Sequence, residues 1–192
     1  HIGILTNISL DHKPIEETLP LFESFLNRCH IGGVINMDCK YTSDLNLTQK
    51  NIISFSVENH PQARPQWGLT SSDIVFEMVA EGGITRMILM YADSSRLPDK
   101  IGPVRSTRHY FLDLAEGYDA IFTHFGQSTY AKTQLANHDI DNINGYFDGS
   151  YFSRDKSRNV DSEHTAYTTK DWVLKAIENK EYRTTLKDGY DN

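Results

Sequence analysis

Ile84-Thr85-Arg86-Met87-Ile88-Leu89-Met90-Tyr91 is the stretch on which the reading of the fold turns. A mostly apolar run of this length, with Gly82-Gly83 before it and polar residues up to Lys100 after it, fits a strand covered on both faces. Just upstream, Ile74, Val75, Met78 and Val79 recur at helical spacing, Thr70 or Ser71 can cap, and Glu77 and Glu81 lie four apart. A helix ended by Gly82-Gly83 is expected there. Downstream, Gly102-Pro103 marks a turn, and Phe111, Leu112, Leu114, Ala115 and Tyr118 give the next stretch helical spacing. Asp119-Ala120-Ile121-Phe122-Thr123-His124 reads as a strand closed by Phe125-Gly126-Gln127-Ser128, and a short helix is expected at about 129–136. Residues 137–163 are mostly loop by composition, and Thr169-Lys170-Asp171 opens a last helix through Trp172, Val173, Ala176 and Ile177. The alternation predicts an α/β fold, a mixed sheet with helices packed on its faces.

Toward the N-terminus, residues 2–8 read as a buried strand. Pro14, with Glu16 and Glu17 behind it, suits a helix start, and Leu19, Phe22, Phe25 and Leu26 supply one apolar face. Pro20 conflicts with that run and marks an alternative start. Gly32-Gly33 breaks the chain before a second strand, Val34-Ile35-Asn36-Met37-Asp38, and residues 40–50 are loop-like. A third strand covers residues 51–57, with apolar side chains at 53, 55 and 57.

At 192 residues the chain suits one ordinary core and is too short for two large domains. A net charge of −7 argues against a general nucleic-acid surface while leaving room for a local basic pocket. No apolar run approaches a membrane span. Two cysteines, Cys29 and Cys39, exclude a disulfide scaffold, and their spacing suggests neither metal nor redox chemistry. No metal and no cofactor are expected. The start at His1 without a signal peptide, and the turn-like Lys187-Asp188-Gly189-Tyr190 near the other end, make both termini look cut.

Chemistry concentrates around Gly102-Pro103-Val104-Arg105-Ser106-Thr107-Arg108. Free backbone N–H groups and the helix dipole favour an anion at a helix start, and Arg105 and Arg108 are expected on one side of the first turn. Cations oppose the dipole there, so the pair is costly unless something negative compensates. Other segments offer candidates to join them: Asn59, His60 and Arg64 from a Pro-rich loop, and Glu81 and Arg86 around the Gly-Gly break. Later segments add His124, Arg154, Asp155, Arg158, His164 and Tyr167. In α/β sheets, functional groups gather beyond the carboxyl ends of strands. His60 and His124 come at or just after such ends, whereas Glu81 precedes a strand. Each has a plainer alternative. Arg86 can pair with Glu81 or Glu77, Arg105 and Arg108 can be solvated, and His124 can be a core histidine. The run from Arg154 to Arg158 can be an exposed charged loop, and His164 can be structural.

Two resemblances overlay this reading. Thr6-Asn7-Ile8-Ser9-Leu10-Asp11-His12, followed by a helix and Val34-Ile35-Asn36-Met37-Asp38, resembles part of the central ATP-binding domain of the Mur ligase family, which joins amino acids to cell-wall precursors. That resemblance implies a metal-ligand role for His12 near the ATP phosphates, and nucleotide proximity for Asn36 and Asp38. No G-x-x-x-x-G-K-[ST] loop occurs anywhere, so an active ligase is not expected. From about Val57 onward the chain resembles the N-terminal domain of YerB-like bacterial lipoproteins, a family described as of unknown function. The matching blocks are Glu58-Asn59-His60-Pro61, Ala63-Arg64-Pro65-Gln66, Gly68-Leu69 and Ser72-Asp73-Ile74-Val75-Phe76-Glu77. They continue through Glu81-Gly82-Gly83-Ile84-Thr85-Arg86, Ile101-Gly102-Pro103-Val104-Arg105-Ser106 with Arg108, and Arg154-Asp155-Lys156-Ser157-Arg158.

The expected organisation is therefore an incomplete ligase-like fragment at 1–56 and a YerB-like domain at 57–192, truncated at its C-terminus. A chimera of two gene fragments is favoured over a true fusion. The YerB-like resemblance implies a lipid-anchored protein outside the cytoplasmic membrane, with membrane contact only through an anchor that this chain lacks. The leading functional expectation is a cell-envelope domain that holds an anionic, phosphate- or carboxylate-bearing ligand, since arginine forks suit both groups. One alternative is an envelope-polymer hydrolase or transferase using Glu81 or Asp155 with His124. Another is a module that binds a wall-associated protein.

Overall fold

The computed structural model describes residues 2–5, 15–27, 32–35, 52–92 and 94–185. The chain divides into two compact units, residues 1–50 with 185–192, and residues 51–184. In the first, β1 (Ile2–Leu5) pairs in parallel with β2 (Gly32–Ile35), and α1 (Ile15–Asn27) lies between them in sequence. Glu16 and Glu17 occupy the first turn of α1, which runs through Pro20 rather than starting there. β2 takes in Gly32 and Gly33, the pair expected to break the chain: in a parallel pairing their backbones bond like any other. Residues 6–12, Asn36, Asp38, Cys29, Cys39, residues 40–50 and 187–190, and the side chains of Phe25 and Leu26, lie outside the described residues.

The second unit is built on a five-stranded mixed sheet. Its strands are β3 (Ile53–Glu58), β4 (Ile74–Glu81), β5 (Ile84–Tyr91), β6 (Ile121–His124) and β7 (Asn142–Asn144). The order is β4-β5-β3-β6-β7. β5 runs antiparallel to both of its neighbours, while β3, β6 and β7 are mutually parallel. The strand at 84–91 forms as expected, and its alternation serves two layers. Leu89 and Tyr91 join Ile53, Phe55 and Val57 under α4 (Lys170–Asn179), against Val173, Ala176 and Ile177. Ile88 and Met90 face the other way, into Phe111, Leu112, Ala115, Phe122 and Ala131 of the layer formed with α2 (His109–Gly117) and α3 (Thr129–Asn137). Fully burying each of the larger apolar side chains stabilises the fold by about 1.5–3 kcal/mol. The class is α/β, as the alternation predicted.

The expected helix ahead of Gly82-Gly83 is instead strand β4. Gly82 and Gly83 both take positive φ, 58° and 75°, which suits a tight hairpin and pairs β4 with β5 from Ile74–Met90 onward. Phe76, Met78 and Ala80 turn inward at a period of two, while Val75, Glu77, Val79 and Glu81 are exposed. The 3.6-residue and 2-residue templates share Ile74, Met78 and the Glu77–Glu81 spacing, so the pattern was ambiguous and the turn decided it. The stretch 137–163 is less loop-like than its composition: it supplies β7 and β8 (Ser153–Arg154), the latter antiparallel to β9 (Ala166–Tyr167).

Candidate functional site

The parallel pair β3–β6 ends at Glu58 and His124, and an extended connector crosses those carboxyl ends. Its backbone is bonded on several sides. Glu58 N donates to Pro103 O, Val104 N to Ala166 O, Arg105 N to Ser56 O, and Thr107 N to Gly126 O. Gly102 makes this crossing possible: at φ 147°, a Cβ there would lie 2.7 Å from Ala166 O. Arg108 is the N-cap of α2, in extended backbone conformation, and Arg105 lies outside the helix. The two arginines thus come together through the folded connector rather than along a helical turn.

Arg86, opposite Glu58 in the β3–β5 register, completes a group of three guanidiniums. Arg86 Nη1 donates to Ser106 O at 2.6 Å, and Arg108 Nη1 donates to Thr107 O at 2.9 Å and to the same Ser106 O at 3.5 Å. Arg108 Nη2 lies 2.5 Å from Glu81 Oε1. Arg105 reaches two carboxylates, Glu58 Oε1 at 3.2 Å from its Nε and Glu163 Oε2 at 3.0 Å from its Nη2. Arg105 Nε and Arg108 Nε are nevertheless buried without a hydrogen-bond acceptor; the Glu58 oxygen is within ion-pair distance of the first but is not aligned with it. Arg86 is 6% exposed. Burial first, then the charges of Arg108 and Arg105, push its pKa down to about 10. The carboxyls answer in the opposite sense. Arg108 holds Glu81 below the ordinary range, and Arg105 does the same to Glu163.

A histidine–carboxylate group adjoins the arginines. Glu58 is 4% exposed and its Oε2 meets His164 Nδ1 at 3.0 Å. His60 stacks on His164 with ring centroids 4.5 Å apart and planes 5° from parallel, and its own Nδ1 accepts from Gln62 N. His60, Glu81, Arg86, Arg105, Ser106, Arg108 and His164 are thereby brought together.

The remaining candidates stand elsewhere. Asn59 staples the loop after β3, donating to Glu77 Oε1 and Thr85 Oγ1, while Arg64 Nε and Gln66 Nε2 donate to its Oδ1. Arg158 donates to Ala63 O at 2.8 Å and to Pro65 O, and lies 3.8 Å over the Trp67 ring. Asp155 is paired with Lys100 at 2.6 Å and accepts from Ser157, contacts that lower its pKa. Lys100 itself lies over the rings of Trp67 and Tyr167. Arg154 donates to Ser162 O and sits over Phe125. His124 is fully buried, its Nδ1 2.8 Å from Gly126 O and its Nε2 3.2 Å from Asn142 Oδ1, and burial lowers its pKa. No carboxylate stands within hydrogen-bond reach of it among the described residues, so the proposed partnership of His124 with Glu81 or Asp155 lacks its geometry.

A profile of the family described as "Protein of unknown function (DUF3048) N-terminal domain" matches residues 41–183. The chain belongs to this family. It is 45% identical over 139 residues to the Bacillus subtilis (strain 168) protein named "Putative lipoprotein YerB", covering 71% of this chain and 40% of that one. The crystal structure of YerB from Bacillus subtilis superposes with a TM-score of 0.68 at 39% identity, covering 83% of this chain and 51% of that chain. The DUF3048 chain thus spans about half or less of these relatives. A segment of 70 residues, 33% of the chain, is 30% identical to 14% of a UDP-N-acetylmuramate–L-alanine ligase of Acaryochloris marina (strain MBIC 11017). Within the DUF3048 domain, Glu58 and Glu163 hold the centre of the site, yet neither stood among the candidates from sequence. Glu58 had a signal, as the last residue of a strand directly before Asn59-His60; Glu163, in a loop-like stretch, had none.

Proposed function

We propose that this domain binds an anionic, phosphate- or carboxylate-bearing ligand of the cell envelope at the Arg86, Arg105 and Arg108 group. The supporting observation is the pair of guanidinium Nε–H groups, on Arg105 and Arg108, buried with no acceptor. An unsatisfied buried donor costs about 1–3 kcal/mol, more on a charged group, and an oxyanion placed there recovers it. Glu81 already sets a carboxylate on Arg108, and its side chain is 68% exposed, so a ligand oxyanion can displace it toward solvent. The envelope assignment leans on the name of the Bacillus subtilis relative, a lipoprotein, which suggests an extracytoplasmic, membrane-anchored family.

The test is titration calorimetry with pyrophosphate and with citrate in EDTA. The wild-type chain is expected to bind at least one of the two, and the Arg105→Ala/Arg108→Ala variant neither, with an unchanged circular dichroism spectrum. Glu81→Gln should tighten binding by removing the competing carboxylate. Equal binding by the wild-type and doubly substituted chains would sink the reading.

A further inference from the structure

We propose that Asp161, Glu163 and His164 form a binding site for one divalent first-row transition-metal ion, with Glu58 orienting the histidine. This site adjoins the arginine group, since Arg105 also pairs with Glu58 and Glu163, and its chemistry is different. Asp161 holds the N-cap position of a single helical turn, Ser162–His164, without a side-chain capping bond, and with Glu163 and His164 it puts two carboxylate oxygens and an imidazole nitrogen within 4.8 Å of one another. Two contacts hold the turn from outside: Arg154 donates to Ser162 O, and Thr165 Oγ1 donates to the same oxygen at 2.7 Å.

The decisive member is His164, which is 5% exposed. Its Nδ1 is committed to Glu58 Oε2, itself buried, so in the neutral ring Nδ1 carries the proton and Nε2 presents a lone pair. Nε2 makes no hydrogen bond among the described residues, and Glu163 Oε1 stands 3.8 Å from it. An imidazole fixed through its far nitrogen by a carboxylate is the arrangement that orients histidine ligands on metals. Arg105 takes Glu163 by Oε2, which leaves Oε1 for the ion. Asp161 and Glu163 are exposed, and their ligand oxygens already lie within 4.8 Å of the imidazole nitrogen and of each other. One imidazole with two carboxylates suits zinc, cobalt or manganese better than calcium or magnesium, and three protein ligands leave positions open.

The test is titration of the full chain with Co²⁺, read by visible absorption, followed by displacement with Zn²⁺. One Co²⁺ per chain is expected, with bands lost on adding Zn²⁺. Asp161→Asn and Glu163→Gln, both at exposed positions, should each weaken Co²⁺ at least about tenfold, and Glu58→Gln about 10–100-fold, with melting curves checking its fold. Arg108→Ala should keep Co²⁺ while losing pyrophosphate, which separates this site from the anion site. Absence of binding would overturn the proposal and leave His164 as a structural contact to Glu58. Equal Co²⁺ affinity in the Asp161→Asn/Glu163→Gln double variant would overturn it too, placing the metal on other histidines.

Discussion

Replacing Arg86 with methionine tests whether the arginine group is held at a cost that a ligand offsets. Methionine keeps an unbranched stem of similar reach and removes the charge. Burial and the neighbouring guanidiniums hold the Arg86 pKa well below the ordinary arginine range, at about 10. At 1.36 kcal/mol per unit, that is about 3 kcal/mol against the charged form, present at every pH below about 10. The desolvation and the repulsion from Arg108 and Arg105 in this figure already stand net of the attraction from Glu81 and Glu58. Against it stands the loss of the hydrogen bond to Ser106 O, about 2 kcal/mol for a charged donor, although Arg108 Nη1 still approaches the same oxygen. The variant is therefore expected to be about 1 kcal/mol more stable, which raises its melting temperature by about 2–4 °C in anion-free buffer. Pyrophosphate at about a hundred times its Kd should add about 2.7 kcal/mol to the wild-type chain and nothing to the variant, reversing their order. Differential scanning calorimetry with and without pyrophosphate reads both. A variant that melts below the wild-type chain in anion-free buffer would refute the reasoning, since the protein would then already satisfy the charge.

The buried His124 makes a prediction in pH. Burial lowers its pKa below the ordinary 6.5, so below that value the unfolded chain takes up a proton that the native chain refuses. Stability should fall by up to about 1.4 kcal/mol per pH unit on acidification, until the folded pKa is passed. His124→Gln should lose that part of the slope in urea unfolding from neutral to mildly acidic pH, and identical slopes would count against a neutral buried ring. Gly102→Ala should destabilise the domain by about 3 kcal/mol, because φ is 147° and the new methyl meets the backbone oxygen of Ala166 at 2.7 Å. Chemical denaturation measures it, and a change under about 0.5 kcal/mol would mean that the connector can move aside.

Where sequence reading held, the local signal and the tertiary need coincided. The run from Ile84 to Tyr91 has apolar residues for both layers, and Thr169 and Ser128 cap α4 and α3 by accepting from Trp172 N and Ala131 N. It failed where two periods fitted the same residues. Ile74, Val75, Met78 and Val79 satisfy a helical stripe, but Gly82-Gly83 needed reading as a hairpin turn rather than as a stop. The same ambiguity misplaced Glu81. It is the last residue of β4, beside the hairpin tip, and that position lets an exposed carboxylate reach Arg108. Long-range partners carried no local signal at all. Glu58 meets His164 across 106 residues of chain, a distance that no local pattern carries.

The arginines and the histidine group share one structural cause. β3 and β6 run parallel, so their carboxyl ends open on the same side, and a chain crossing those ends must satisfy backbone groups from both strands. The connector from Ile101 to Thr107 does so with Pro103 O, Arg105 N and Thr107 N. Ile101 and Val104 of the connector turn into the core, while Arg105 lies over the strand end and meets Glu58. Ser56, fully buried in β3, is small enough to lie beneath the connector, and its Oγ donates to Ser106 O at 3.5 Å. A larger side chain at position 56 would press on Ser106, the carbonyl that Arg86 and Arg108 share. The polarity of β3 is thus part of the site rather than a flaw in the core.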